Sequence, residues 1–545
     1  MPIEGNRRAT KRTNRMPWGA SAMAWLVSST AFAATIHVDD DAGPGGDGSP
    51  QAPYATIQDA LDVAMPGDVV LVAPGTYAAF ASVRDGMDGA PITIRAEVRG
   101  QVVVQAVGRV ADLAHPFHVL EDLVLDGAYG PQDLVRADGA DDLVLRGVEV
   151  RRSGADCIDL RTSHRVRIEG ASIHHCVAAS GGTPVDAHGV TGDSVLGLTI
   201  VDSAIFLASG DAVQLSPSRQ PWTDLVLEGC TFWTGELDEP AAGLTPGTRI
   251  GENALDTKVG DQLDGNGAPP SVRVTDVIAY GYRDVIGNQG AFNVKEEVVA
   301  VIDRVTVHDS EIAFRLRAPS RVTVTNAVVF DVAKAFRLED GLDGARIAHV
   351  TLGGGVGLAF EDAGGDPTDL AVVDSLILGP AVPPPADQDA TNLAVAEDAF
   401  VDAAGHDYHL AAGAAAIDAA GRLPPDLTVT TDRDGIPRPQ GLAADVGAYE
   451  WTEDGGGDTG GTTTGSGTGG PATSSTSGAS SGEATSSTGG GAGSTGTDGG
   501  TEGTGQAGGD GGCGCRTGRP TFAAPLLLAL GLWAPHRRRR RAPAR

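Results

Sequence analysis

Lysine is almost absent from this chain of 545 residues: only Lys11, Lys258, Lys295 and Lys334 occur. Arginine supplies nearly all the other basic charge, so a lysine in the body marks a place where arginine, permanently charged and planar, does not substitute. Basic residues are few altogether, 40 Lys+Arg against 71 Asp+Glu, for a formal net charge of −31. Such a balance disfavours nucleic acid as a partner, because its dense charge is bound by basic faces. Five cysteines in this length exclude a disulfide scaffold. Cys157, Cys176 and Cys230 lie in strand-like segments and read as buried apolar cysteines, with a bridge left open by their spacing. Aromatic residues make up 5%, which weakens any case for a surface that stacks on sugar rings. Long apolar runs are missing too. The stretches near Met23–Val27 and Phe522–Trp533 are short for a membrane-spanning helix.

What is present divides the chain into four parts. Residues 1–33 read as a signal peptide, with a basic stretch, a short apolar run and the cleavage pattern Ala31-Phe32-Ala33. Residues 34–452 form the body. Residues 453–512 are rich in Gly, Ser and Thr, lack apolar periodicity, and read as a disordered linker. Residues 513–545 hold Cys513-Gly-Cys515, an apolar run and Arg537–Arg541. This last segment resembles the myxobacterial C-terminal sorting signal. The resemblance implies an exported protein held at the cell surface, touching the membrane only through that segment.

The body repeats. Short alternating segments such as Leu143–Val150, Val166–Gly170, Leu225–Gly229, Val272–Asp276 and Val322–Asn326 recur with a base period near 23 residues. Each is followed by a turn residue: Asp122, Gly147, Gly170, Asp202, Gly229, Asp276, Asp303, Asn326, His349 or Asp374. Most are Gly, Asp or Asn, which tolerate a left-handed backbone. Short strands at this period predict an all-β parallel solenoid, one coil per repeat. Ile57, Leu61 and Ala64 fall at helical spacing and predict an N-terminal capping helix. The opening Pro53–Tyr77 and the closing Asp434-Gly-Ile-Pro-Arg-Pro439 with Asp445–Glu450 resemble secreted right-handed parallel β-helix, pectate-lyase-like proteins. That resemblance implies a single-stranded right-handed parallel β-helix.

A second repeated column follows each turn. Strand alternation sends Ile158, Val190, Val213, Leu255, Phe292, Phe314 and Phe336 inward. The polar residues between them then share one outer face in three ladders. The first holds Asp156, His188, Asp211 and Asn253. The second holds Asp159, Thr191, Gln214, Asp256, Asn293, Arg315 and Arg337. The third holds Arg161, Asp193, Ser216, Lys258, Lys295, Arg317 and Glu339. Insertions before His188, Asn253 and Gly290 bracket the coils that carry the two stacked lysines, where loops on a rigid scaffold form grooves.

This face resembles the catalytic face of β-helix polysaccharide lyases, and Asn253–Lys258 resembles the lysine-bearing strand of polysaccharide lyase family nine. The resemblance implies β-elimination on an acidic polysaccharide, with Lys258 as base. The coil spacing sets Lys295 one coil away, where it opposes protonation of Lys258, and Arg315 or Arg317 is the candidate to hold the substrate carboxylate. His188, Gln214, Asn293, Arg317 and Arg337 are the candidate substrate-binding residues. Asp211, Glu252 and Asp256 offer hard oxygen ligands for Ca²⁺. Two alternatives stay open: a carbohydrate-binding or structural surface protein without catalysis, and a glycoside hydrolase using paired aspartates among Asp156, Asp159, Asp211 and Asp256.

Overall fold

The computed structural model describes residues 33–216, 222–259, 268–380 and 383–453. The expected signal peptide up to Phe32, the linker from 454 and the sorting segment 513–545 lie outside the described residues. Most turns of the chain lay one strand in each of three parallel sheets, which among the described residues hold fourteen, thirteen and eleven strands as the first, second and third sheet. One coil runs through Ile158–Arg161 in the third sheet, Val166–Glu169 in the first and Ser172–Cys176 in the second. Every pairing within these sheets is parallel and joins neighbouring coils, as between Ile158 and Val190 and between Val213 and Leu255. The all-β parallel solenoid expected from the repeat is therefore the fold.

Alternation explains the core. Ile158, Val190, Val213, Leu255, Phe292, Phe314 and Phe336 are all fully buried and stand in register. The phenylalanines continue to Phe360 as one internal stack, with centroids 5.6, 5.0 and 5.3 Å apart. Each ring buried this way contributes about 1.5–3 kcal/mol relative to exposure. The expected helix is Ile57–Val63, started by Thr56, whose hydroxyl accepts from the Asp59 N–H at 3.0 Å. Its buried Ile57, Ala60 and Leu61 join the core at the first coils.

Nine of the ten anticipated turn residues adopt positive φ; Asp303 does not. Register pairs Asp303 with Thr275 and Thr325, so Arg304 occupies the column, at φ 52°. Residue type points to the aspartate, but strand pairing places the arginine there. Its guanidinium bonds Asp276 at 2.9 and 2.8 Å and Asp303 at 2.8 Å, which ties down a left-handed arginine.

All three body cysteines are buried, and Cys157 and Cys176 form a disulfide, while Cys230 is free. The bridge links the entry of a third-sheet strand to the exit of the second-sheet strand in the same coil. A separation of 19 residues carries no such signal; the closing of one turn brings the Cα atoms to 5.4 Å. The C-terminal signature folds as a clamp along the turn column. Arg438 and Glu450, only 2% and 1% exposed, pair at 3.1 Å. Arg438 also bonds Asn326 Oδ1 at 3.2 Å and Gly447 O at 2.8 Å. The Ala448 N–H donates to Thr351 Oγ1, and the Gly447 N–H to Asp374 O at 2.8 Å. One segment thereby fastens the coils of Asn326, Thr351 and Asp374 together.

Reduction of the disulfide, or Cys176→Ser, is expected to lower stability by about 3 kcal/mol, read from thermal unfolding with and without reductant. Arg438→Ala leaves Glu450 buried and unpaired, and is expected to cost about 3–5 kcal/mol in urea unfolding.

Candidate functional site

The third sheet carries the site because its pairing aligns the outward residues of successive coils. Asp159 pairs with Thr191, Thr191 with Gln214, Gln214 with Asp256, Asp256 with Asn293, Asn293 with Arg315, and Arg315 with Arg337. The second ladder is thus one continuous row along the solenoid. Lys258 and Lys295 each follow their strand by one residue, at the same offset from Asp256 and Asn293. The Lys258 N–H donates to Leu215 O at 2.9 Å. The Thr257 hydroxyl accepts from the Lys295 N–H at 3.1 Å and donates to its carbonyl at 3.2 Å. These bonds fix where both side chains leave the backbone.

Both amines emerge on the same wall and converge on Asp256. Lys295 Nζ lies 2.9 Å from Asp256 Oδ1, and Lys258 Nζ lies 3.4 Å from Oδ2. Lys258 also donates to Gln214 Oε1, and Asn293 Nδ2 donates to Asp256 Oδ1 at 2.9 Å. Asp256 is buried beneath them, while the lysine side chains are 38% and 15% exposed. The sequence implied direct opposition of the two amines. Instead a carboxylate stands between them, and the cluster of two ammonium groups and one carboxylate keeps a net positive charge.

The first ladder is a relay of side chains onto backbone. Asp156 Oδ1 accepts from the His188 N–H at 2.8 Å, and His188 Nδ1 accepts from the Asp211 N–H at 2.9 Å. Asp211 Oδ1 accepts from Asn253 N–H and Nδ2, and Asn253 Oδ1 accepts from the Gly290 N–H. Because Nδ1 of His188 accepts, its ring carries the proton on Nε2. Asp211 Oδ2 has no hydrogen-bond partner, although the residue is 1% exposed. Burial, and then the charge of Asp256, push the Asp211 carboxyl up to about 7. Glu252 is pushed up to about 7 by burial and by Asp211 and Asp186. Burial raises Asp156, and raises Asp159 to about 6 against the pull of Arg161. Asp186 was not among the residues read from the sequence. It lies in the insertion ahead of His188, where no repeat column reaches.

Other expected roles need correction. Arg315 bonds both oxygens of Glu339, at 3.0 and 3.1 Å, and donates to Asn288 O. Arg317 pairs with Glu339 at 3.0 Å, and Arg337 with Glu339 and Glu361. These three arginines enclose Glu339, so the fork of Arg315 is already occupied by a carboxylate of the chain. The expected calcium ligands do not assemble. Among the described residues no three His, Cys, Asp or Glu side chains are placed to hold a metal ion. Asp256 is taken by two ammonium groups, whose charge opposes a divalent cation, and Asp211 spends one oxygen on Asn253. The residues present do not fit calcium, which takes six to eight oxygens.

The insertions leave from one corner, between second-sheet and third-sheet strands. One contains the hairpin Ala178–Ser180 and Thr183–Val185. Another packs Leu237, Ala241, Leu244 and Ile250 against Val177 and Leu207 as a separate small core. Glu239 anchors it, bonding Arg152 at 2.8 and 2.9 Å and the Tyr129 hydroxyl at 2.7 Å. The scarce aromatics gather outside the second sheet, where His174, Phe206, Trp233, Tyr280, His308 and Phe330 stack in sequence. Their ring faces cover one another, so the ladder fastens coils together.

A family model described as "Protein of unknown function (DUF1565)" matches residues 41–101. No curated protein matches the chain. Among solved structures, the chain is similar to a pectate lyase, at 13% identity over 77% of this chain and 97% of that one, with a TM-score of 0.41. It is similar to a rhamnogalacturonan lyase at 13% identity, over 68% and 90%, with a TM-score of 0.44. It is also similar to a lacto-N-biosidase from Eubacterium ramulus at 11% identity, over 62% and 68%, with a TM-score of 0.37.

The raised carboxyls dictate a pH dependence. Native Asp211 and Glu252 hold their protons to about pH 7, whereas unfolded carboxyls release them near pH 4. The native state therefore binds more protons between these values, and this pair makes stability fall as pH rises through that window and level off above it. The double variant Asp211→Asn with Glu252→Gln lacks that fall. Its stability relative to wild type is expected to grow from pH 4.5 to pH 8 in urea unfolding.

Proposed function

We propose that the protein is exported and acts on an acidic polysaccharide by β-elimination along the outer face of the third sheet. The observation that carries this reading is the convergence of Lys258 and Lys295 on Asp256, at the surface of a rigid row. The Lys295 ammonium at this face suits the carboxylate of a uronate. Neutralising that carboxylate makes the adjacent C5 proton more acidic. Lys295, rather than Arg315, takes the neutralising role. Lys258, the more exposed amine, is the base: it first gives its own proton to solvent, its free lone pair then removes the C5 proton, and Lys295 stays charged throughout. The C5–H electron pair becomes the C4=C5 double bond, the bond from C4 to the glycosidic oxygen breaks, and that oxygen takes a proton from solvent. Gln214 and Asn293 flank the amines in the row and orient the sugar.

Export fits the disulfide, since such bonds persist in oxidising compartments. No helix among the described residues is long and apolar enough to cross a membrane. A second reading draws on Asp211 and Glu252, two carboxyls pushed up to about 7. A carboxyl still protonated near neutrality is suited to act as the acid in glycoside hydrolysis.

The full-length chain is expected to produce an ultraviolet-absorbing unsaturated product from acidic polysaccharides, without need of added Ca²⁺. Lys258→Ala is expected to lower that rate by about 10²–10⁴-fold, and Lys258→Arg to restore little of it. Cleavage without the chromophore points to hydrolysis, and binding without turnover to a recognition module.

A further inference from the structure

We infer that the outer face of the third sheet selects a heteropolymer in which uronate residues are separated by uncharged sugars, rather than a homopolymer of uronates. This rests on the proposed reading of the third sheet as the substrate surface. The face is electrically bipolar along the solenoid axis, and Asp256 marks the division. Toward the C-terminal coils stand Lys258 and Lys295, sharing one carboxylate. Beyond them come Arg315, Arg317 and Arg337 around Glu339, and Lys334 with Glu361.

Toward the N-terminal coils the sign reverses. Asp156, Asp186, Asp211 and Glu252 form no ion pair with Lys or Arg among the described residues, unlike Asp159, which Arg161 holds at 2.6 Å. The neighbouring His188 is a neutral donor through Nε2, because the Asp211 N–H occupies Nδ1. Asp211 Oδ2, buried and without a hydrogen-bond partner, adds a carboxyl that tolerates no further negative charge nearby.

Coils repeat about every 4.8 Å, close to the advance of one sugar, so a chain lying along the axis meets the two halves in succession. Above about pH 7, where Asp211 and Glu252 have released their protons, a homopolyuronate seats one carboxylate on the lysines and the next against carboxylates that no lysine or arginine pairs. Like charges placed so oppose binding strongly. An uncharged sugar at the same coils presents hydroxyls that donate to Glu252 and Asp186, and an acceptor for His188 Nε2. The acidic half thus discriminates by repulsion, and the lysine half supplies attraction.

The test compares binding and turnover by the full-length chain on two classes of polymer at pH 8.5, above the range in which Asp211 and Glu252 release their protons. Polygalacturonate and alginate represent uronate homopolymers; hyaluronan and unsulfated chondroitin represent uronate alternating with N-acetylhexosamine. The alternating polymers are expected to bind at least ten-fold more tightly. Asp186→Asn with Glu252→Gln, both isosteric, is expected to narrow that gap by strengthening homopolymer binding several-fold. Homopolymers that bind wild type as tightly as alternating ones overturn the inference and leave the surface reading standing. So does a folded double variant with an unaltered gap. If neither class binds, the surface reading falls and the inference with it. Should the double variant not fold, as judged by thermal melting, the wild-type comparison decides alone.

Discussion

A strand in a parallel solenoid pairs with the strand one full turn away, in register. Everything else in this molecule follows from that pairing. It sets homologous positions of consecutive repeats about 4.8 Å apart, so a residue type that recurs in the sequence becomes a column in space. Inward columns become a continuous apolar stack, seen in the phenylalanines from Phe292 to Phe360. Outward columns place like groups close together and require charge to be managed coil by coil. Asp256 between two lysines and Glu339 among three arginines are two solutions to that requirement.

The same pairing explains why the candidate residues line up on one sheet. The insertions have no counterpart in the next repeat, so they stand along one edge of the row, which forms a floor beside them. The insertions before His188, Asn253 and Gly290 share one corner of the coil. The disulfide Cys157–Cys176 closes the turn from which the first of them departs. Backbone anchoring then removes freedom from the floor. Thr257 holds Lys295, and the relay from Asp156 to Gly290 sets the tautomer of His188.

Columns were legible because they depend only on period and alternation. The row from Asp159 to Arg337 appears in the structure in the order the repeat implied. The turn column failed only at Asp303, where pairing shifted the left-handed residue to Arg304. Pairings across columns were not legible. Arg315 and Glu339 belong to different ladders, and their meeting depends on side-chain reach. Asp186 escaped because an insertion has no period, and the calcium ligands because three carboxylates on adjacent coils need not converge.

Repetition by itself determined the coil, its inward and outward faces and the wall from which both lysines emerge, since these need only nearest-neighbour pairing at a constant interval, while the capping helix was legible from its own helical spacing. Tertiary structure alone decided which carboxylate each cation meets, which cysteines join, and where unpaired acids gather beside paired bases. Those outcomes depend on side-chain length, burial and the docking of aperiodic segments, none of which a period encodes.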